Sequence, residues 1–244
     1  MRAARLVTTV ILTAHGSADP RSPANTRAIA GHLRRVAPEL DVRVAFCEQN
    51  TPNLADALHD LPDPRGEVVV APLLLAAAYH ARIDIPALIG EAGVAVRQAA
   101  VLGEDERLVQ VMRQRLGAVG VSRFDAGLGV LVAAVGSSKP EANARAARVA
   151  AMLARGTRWA GAEVCFATGA QPSLAEATER LRQRGATRIA VAPWFLAHGR
   201  LTDRVAGYAR DAGMVMAEPL GAHRLVAAAV LDRIEDALAD VVAA

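Results

Sequence analysis

Apolar, β-branched runs alternate with stretches of helical period along the first half of the chain. The runs lie at 6–14, 42–47, 67–75 and 94–98, and helical patterns fill 22–37, 52–60, 84–92 and 104–117. Ser22-Pro23 and Thr51-Pro52 each pair an N-cap oxygen with a proline suited to the first helical position, so helices are expected to start there. The third run, Val68 to Leu75, is apolar without alternation, as suits a central parallel strand covered on both faces. Strand–helix alternation of this kind predicts a parallel sheet with right-handed crossovers.

The pattern then repeats. Gly16-Ser17 and Gly136-Ser137 stand 120 positions apart, and Pro20 meets Pro140 at the same spacing. Val44, Phe46, Pro52 and Leu54 meet Val164, Phe166, Pro172 and Leu174, again at 120, and Val70-Ala71-Pro72 meets Val191-Ala192-Pro193 at 121. Leu102-Gly103 and Arg107-Leu108-Val109 find counterparts in Leu220-Gly221 and Arg224-Leu225-Val226. Matches in one order along a whole unit identify an internal duplication. The expected fold is α/β: two tandem doubly wound, Rossmann-like domains, each with a four-stranded parallel sheet. The boundaries expected from the repeat are 1–120 and 121–244, with the join near Gly117 to Gly127.

The duplication also bears on the N-terminus. Met1 to Ala14, a basic start followed by an apolar run, has the outline of a secretory signal. Gly127 to Val135 occupies the matching place deep inside the chain, so both segments are read as first strands.

Composition narrows the function. The formal net charge is only +3, and no basic run is interleaved with aromatics, which gives no footprint for nucleic acid. No apolar run reaches the length of a membrane span. Cys47 and Cys165 sit in apolar runs without a C-x-x-C pattern, which excludes a thiolate zinc site and a disulfide framework and makes a cytoplasmic protein the default.

In an open parallel sheet, ligands bind beyond the carboxyl ends of the strands. After the first strand comes Ala14-His15-Gly16-Ser17, and after the third comes Ala77-Ala78-Tyr79-His80. First and third strands are usual neighbours in such sheets, so His15 and His80 are expected to face one crevice. The second copy has Val135 at the place of His15 and Leu201 near that of His80, so one active crevice and one scaffold crevice are expected. Two imidazoles without a thiolate are too few for a closed structural zinc site, and they suit an open site for iron(II), cobalt(II) or nickel(II). Glu48, ending the second strand, can add a carboxylate or take a proton. Asp84 is read as the cap of the helix it precedes. Gly16-Ser17 can present backbone N–H groups to an anion. An Arg-His-Gly phosphatase motif is set aside, because Ala14 precedes His15. His32, His59, His198 and His223 are read as structural or solvated.

At these residues the sequence resembles the sirohydrochlorin chelatases, class II relatives of ferrochelatase, in their long two-domain form. The resemblance rests on Ala14-His15-Gly16-Ser17, Phe46-x-Glu48 before Pro52, Ala71-Pro72-Leu73-Leu74-Leu75 leading to Tyr79-His80, and Asp84-Ile85-Pro86. It implies insertion of Fe2+ or Co2+, with Ni2+ a third candidate, into sirohydrochlorin or a related tetrapyrrole, without an organic cofactor. It implies that His15 and His80 ligate the metal and transfer protons. It implies that Glu48, Asn50, Leu75, Ala76, Ala77, Ala78 and Tyr79 line the macrocycle pocket, and Arg21 and Arg82 are candidates to pair with its carboxylates. The family usually carries glycine two residues before its second histidine. Here Ala78 stands there, while the second copy keeps Gly199. The expected partners are the tetrapyrrole and the metal ion, with a monomer expected because two halves in one chain can mimic a dimer. The alternative is a non-catalytic carrier of metal or tetrapyrrole using the same crevice.

Overall fold

The computed structural model describes residues 7–61, 66–76 and 80–239, His80 by its backbone alone. The first repeat runs β1 (Thr9–Ala14), α1 (Arg21–Val36), β2 (Asp41–Phe46), α2 (Leu54–His59), β3 (Val68–Pro72), a π-helical turn (His80–Asp84), α3 (Ile85–Glu91), β4 (Arg97–Gln98) and α4 (Glu106–Ala118). The second runs β5 (Leu128–Ala134), α5 (Pro140–Ala154), β6 (Gly161–Phe166), α6 (Leu174–Gln183), β7 (Arg188–Pro193), α7 (Arg200–Asp211), β8 (Val215–Met216) and α8 (Arg224–Ala239).

Two four-stranded parallel sheets result, in the orders β2-β1-β3-β4 and β6-β5-β7-β8. Ala14 is level with Phe46 in the first and Ala134 with Phe166 in the second, so the sheet register reproduces the 120-residue offset. Every residue of β3 and of β5 is buried, because helices cover both faces of each sheet. One face of the first sheet gathers Ile11, Ala45, Val68 and Val70 with Leu54, Leu58 and Ile85. The corresponding face of the second gathers Leu131, Ala133, Cys165 and Val191 with Ala177, Leu181 and Val205.

Two helix starts differ from the sequence expectation. Pro52 lies before the helix, beside the end of β2, where its carbonyl accepts the Phe46 N–H at 3.0 Å. Helix α2 therefore begins at Leu54, capped by Asn53, whose side chain accepts from the Asp56 N–H. Helix α1 begins at Arg21, whose N–H donates to the Asp19 carboxylate at 3.0 Å, so Ser22 lies inside the helix.

The larger difference concerns domain boundaries. Unit 1 holds the described residues up to Gly103 and from Ala222 onward, and unit 2 holds Glu104–Gly221. The compact units thus do not follow the repeat boundary at 120. Each repeat's last helix belongs to the unit built on the other repeat's sheet. In unit 1, α8 packs on α1 and β3 and buries Val226, Val230 and Ile234, while Arg233 donates to the carbonyls of Val101 and Leu102. In unit 2, α4 packs on α5 and β7 and buries Leu108, Val109, Val111, Met112 and Leu116. The apolar stripe of each helix is legible in the sequence, but a stripe does not say which sheet it covers.

A fragment ending at residue 120 lacks α8 and should not unfold cooperatively as a monomer when followed by circular dichroism. In the full chain, Ile234→Ala should cost about 2–5 kcal/mol in urea unfolding, the usual cost of a cavity at a fully buried aliphatic side chain.

Candidate functional site

The carboxyl ends of β1 and β2 carry the first part of the site. The parallel ladder continues one step past the strands: the Cys47 N–H donates to the Ala14 carbonyl at 2.9 Å and the Glu48 N–H to the His15 carbonyl at 3.0 Å. His15 and Glu48 are thereby held on adjacent loops. Gly16 makes this possible. Its φ is +100°, and a Cβ there would stand 1.8 Å from the Glu48 carbonyl oxygen, so only glycine lets the two loops close.

His15 and Glu48 meet side chain to side chain, with Nε2 and Oε1 3.3 Å apart. The His15 Nδ1 lies 3.1 Å from the Gly16 carbonyl, which can only accept, so Nδ1 carries the proton. In neutral imidazole the Nε2 lone pair then faces a carboxylate oxygen. That arrangement is favourable with a cation between them, either a proton or a metal ion. The two side chains are 37% and 51% exposed, which leaves the pair open to an incoming ion.

Gln49 and Asn50 brace the pair. The Ser17 N–H donates to Asn50 Oδ1 at 2.7 Å and the Ala18 N–H to Gln49 Oε1 at 2.9 Å. The Ser17 N–H, one of the backbone donors expected to serve an anion, is therefore satisfied within the protein. Gln49 Nε2 donates to Glu48 Oε1 at 3.1 Å and orients the carboxylate toward His15. Gln49 holds φ at +61°, an unusual conformation for a residue with a Cβ. Nothing in the sequence marks Gln49, because its role depends on two loops meeting. A cleft of about 670 Å³ opens beside these residues, lined by Arg27, Cys47, Glu48, Gln49, Asn50 and Leu88 among others.

Cys47 is half-buried, and its thiol is pushed up to about 11, first by burial and then by the charges of Asp84 and Glu48. It stays protonated near neutrality and is a poor metal ligand there. Asp84 makes no side-chain bond to the start of α3, contrary to its expected capping role, because the π-helical turn His80–Asp84 already leads into that helix.

Leu75 and Ala76 follow β3 and are half-buried. The expectations for Ala77, Ala78 and Tyr79 fall outside the described residues, as does the side chain of His80. Among the described residues no three His, Cys, Asp or Glu side chains converge on one point. Arg21 is tied to Asp19 at 2.6 Å, which counts against a role at the rim. Arg82 is exposed on the π-helical turn. Three of the four remaining histidines have local partners: Nε2 of His198 meets Glu218 at 2.7 Å, Nδ1 of His223 accepts the Leu225 N–H, and Nδ1 of His32 meets Arg35, while His59 is exposed at the end of α2.

In unit 2 the same loops carry none of this chemistry. Val135 is exposed at the place of His15. Thr168, Gly169 and Ala170 replace Glu48, Gln49 and Asn50 at the 120-residue offset. The Thr168 hydroxyl turns back to donate to the Val135 carbonyl at 2.7 Å, and Asn143 accepts the Ser137 N–H in place of an Asn50 equivalent. Leu201, in the first turn of α7, packs on the apolar core. At Gly199 the backbone is extended, and an added Cβ would meet nothing within 4 Å.

The family model for CbiX matches residues 9–119 and 129–237. The chain belongs to the CbiX family. The two CbiX matches begin 120 positions apart, the spacing of the repeat. Among curated relatives, the sirohydrochlorin cobaltochelatase of Priestia megaterium is 28% identical over 206 residues, 80% of this chain and 66% of that protein. The chain thus spans just under two thirds of that relative's length. The sirohydrochlorin ferrochelatase of the same organism is 25% identical over 205 residues, 80% of this chain and 76% of that protein. The solved structure of SirB from Bacillus subtilis with Fe3+ has the same fold, with a TM-score of 0.80, 22% identity and 95% coverage of each chain.

Two expected outcomes test this geometry. Raised thiol pKa means less thiolate at any pH below it, so Cys47 should react with iodoacetamide at pH 8 roughly a hundredfold more slowly than a free thiol and recover that rate in urea. Cys165, buried and pushed up to about 12, should be slower still in the folded protein. Gly16→Ala should lower the melting temperature by several degrees, measured by differential scanning calorimetry, because the loops cannot close over a methyl group.

Proposed function

We propose that the chain is a chelatase that inserts Fe2+ or Co2+ into sirohydrochlorin, in the formation of sirohaem or cobalamin. The observation that carries this reading is the exposed His15–Glu48 pair, at 3.3 Å, present in unit 1 and replaced by Val135 and Thr168 in unit 2. The names of the CbiX-family relatives, one a cobaltochelatase and one a ferrochelatase, support it.

Insertion exchanges two pyrrole N–H protons for one divalent ion. The chain must therefore hold the ion beside the macrocycle and provide acceptors for the protons. His15 Nε2 and the Glu48 carboxylate supply one such place, since each accepts either a proton or the metal. His80, the first residue of the π-helical turn that follows β3, is the proposed second metal and proton-transfer residue, facing the first across the crevice. The metal is a substrate, and an open, weakly ligated, exposed site suits an ion that must leave for the tetrapyrrole. No organic cofactor is required. Asn50, Leu75, Ala76, Ala77, Ala78 and Tyr79 are assigned to the wall of the macrocycle pocket, and Arg82 to the substrate's carboxylates. Unit 1 is assigned the reaction and unit 2 the supporting scaffold. The free thiols Cys47 and Cys165 suit the cytoplasm, and a monomer suffices because the chain carries both halves.

The test is the absorption spectrum of sirohydrochlorin mixed with Fe2+ or Co2+ and the protein. The expected result is insertion faster than in buffer. His15→Ala and His80→Ala should each lower the rate at least about a hundredfold, and Glu48→Gln by about ten- to a hundredfold. Val135→Ala should leave it unchanged. Tight binding of the metallated product without turnover would make the protein a carrier instead. A rate equal to that in buffer with no binding would overturn both readings.

A further inference from the structure

Unit 2 contains a pocket of about 310 Å³ lined by Arg113, Leu116, Val121, Arg123, Arg155 and Trp159. The connections that supply it lead into β5 and β6, so it opens at the amino-terminal edge of the sheet, opposite the strand ends where chemistry is expected. Its volume is that of a small-ligand site.

The charge in this pocket is one-sided. None of the three arginines has a carboxylate partner among the described residues. Asp125, on the same connection as Arg123, is taken by Arg188. Arg113 donates to the Met152 carbonyl at 2.7 Å, and Arg123 lies 4.5 Å from the centre of the Phe124 ring. Neither contact neutralises a guanidinium, which stays charged at any physiological pH. Several arginines elsewhere do find acids, as at Arg97–Glu67, Arg107–Asp105 and Arg184–Glu163. Three like charges around one concavity repel one another unless an anion sits among them.

The remaining walls describe the rest of the ligand. Leu116 and Val121 are apolar, and half-buried Trp159 is fixed by its Nε1–H, which donates to the Ser122 carbonyl at 2.9 Å. An aromatic ring, an aliphatic floor and guanidinium forks together fit a flat organic body bearing oxyanions.

The repeat supplies an internal comparison. The α5–β6 connection, 155–160, reads Arg-Gly-Thr-Arg-Trp-Ala, whereas its counterpart 37–40 reads Ala-Pro-Glu-Leu. The second copy is two residues longer here, and its arginines and tryptophan have no equivalents in the first. The copy that lacks the His15–Glu48 pair at one sheet edge carries added charge at the other.

We propose that this pocket of unit 2 is a binding site for a small flat organic anion carrying carboxylate or phosphate groups, distinct from the residues assigned to metal insertion. Isothermal titration of the full-length protein with trimesate, phenyl phosphate and inorganic phosphate tests it. Trimesate or phenyl phosphate should bind saturably and at least about tenfold tighter than inorganic phosphate, a difference of about 1.4 kcal/mol. The tighter of the two identifies the head group. Arg123→Gln and Arg155→Gln, both at exposed positions where folding is not at stake, should each weaken binding at least about fivefold. Arg182→Gln removes the same charge from the exposed surface of α6 and should change nothing. Absence of saturable binding by either organic anion, or an equal loss in Arg182→Gln, would overturn the proposal. The measurement involves neither metal nor sirohydrochlorin, so it succeeds or fails independently of the chelatase reading.

Discussion

β1 hydrogen-bonds to β2 on one side and to β3 on the other, all three running the same way, so the carboxyl ends of these strands meet along one edge. Everything assigned to unit 1 depends on that placement. It brings the loop after β1 against the loop after β2 closely enough that the backbone ladder continues through His15 and Glu48. It also starts the segment after β3 beside β1, where the Leu73 N–H donates to the Thr13 carbonyl at 2.7 Å. Burial of the strands on both faces makes the edge rigid, and a rigid edge can hold two exposed side chains at hydrogen-bonding distance. The cost is concentrated at Gly16 and Gln49, two residues with left-handed backbone where the loops must turn sharply.

Duplication separates what the fold requires from what the chemistry requires. Both copies keep the strand order, the register, the glycine after the first strand and the serine that follows it. Only one keeps imidazole, carboxylate and the two amides behind them. The glycine is therefore architectural: Gly136 also has a positive φ, and an added Cβ there would stand 2.6 Å from Thr168 Oγ1 and 3.0 Å from Phe166 Cβ, less tight than at Gly16 but still too close. The polar set His15, Glu48, Gln49 and Asn50 is not required to build the sheet edge. Unit 2 shows the same edge closed by Thr168 and Asn143 alone.

The exchange of last helices gives the duplication a second consequence. Each sheet is completed by a helix encoded in the other repeat, so neither repeat closes its own core. This ties the stability of unit 1 to α8, which the second repeat encodes.

The sequence alone determined the strand–helix alternation, the doubling, the parallel sheets and the two positions, His15 and Glu48, that stand at strand ends. These depend on local periodicity, on turn residues and on a fixed order along the chain, all of which are written residue by residue. The tertiary structure decided which sheet each final helix covers, because an apolar stripe fits either. It moved the start of α2 past Pro52, whose carbonyl accepts the Phe46 N–H at the end of β2, a pairing that local helix signals do not show. It turned the free N–H groups of Ser17 and Ala18 into donors to Asn50 and Gln49, and it gathered Arg113, Arg123 and Arg155 from three segments into one pocket. Apart from the Pro52–Phe46 bond, six positions apart, each of these is a contact between residues far apart in the chain, and its energy exists only once the strands have brought them together.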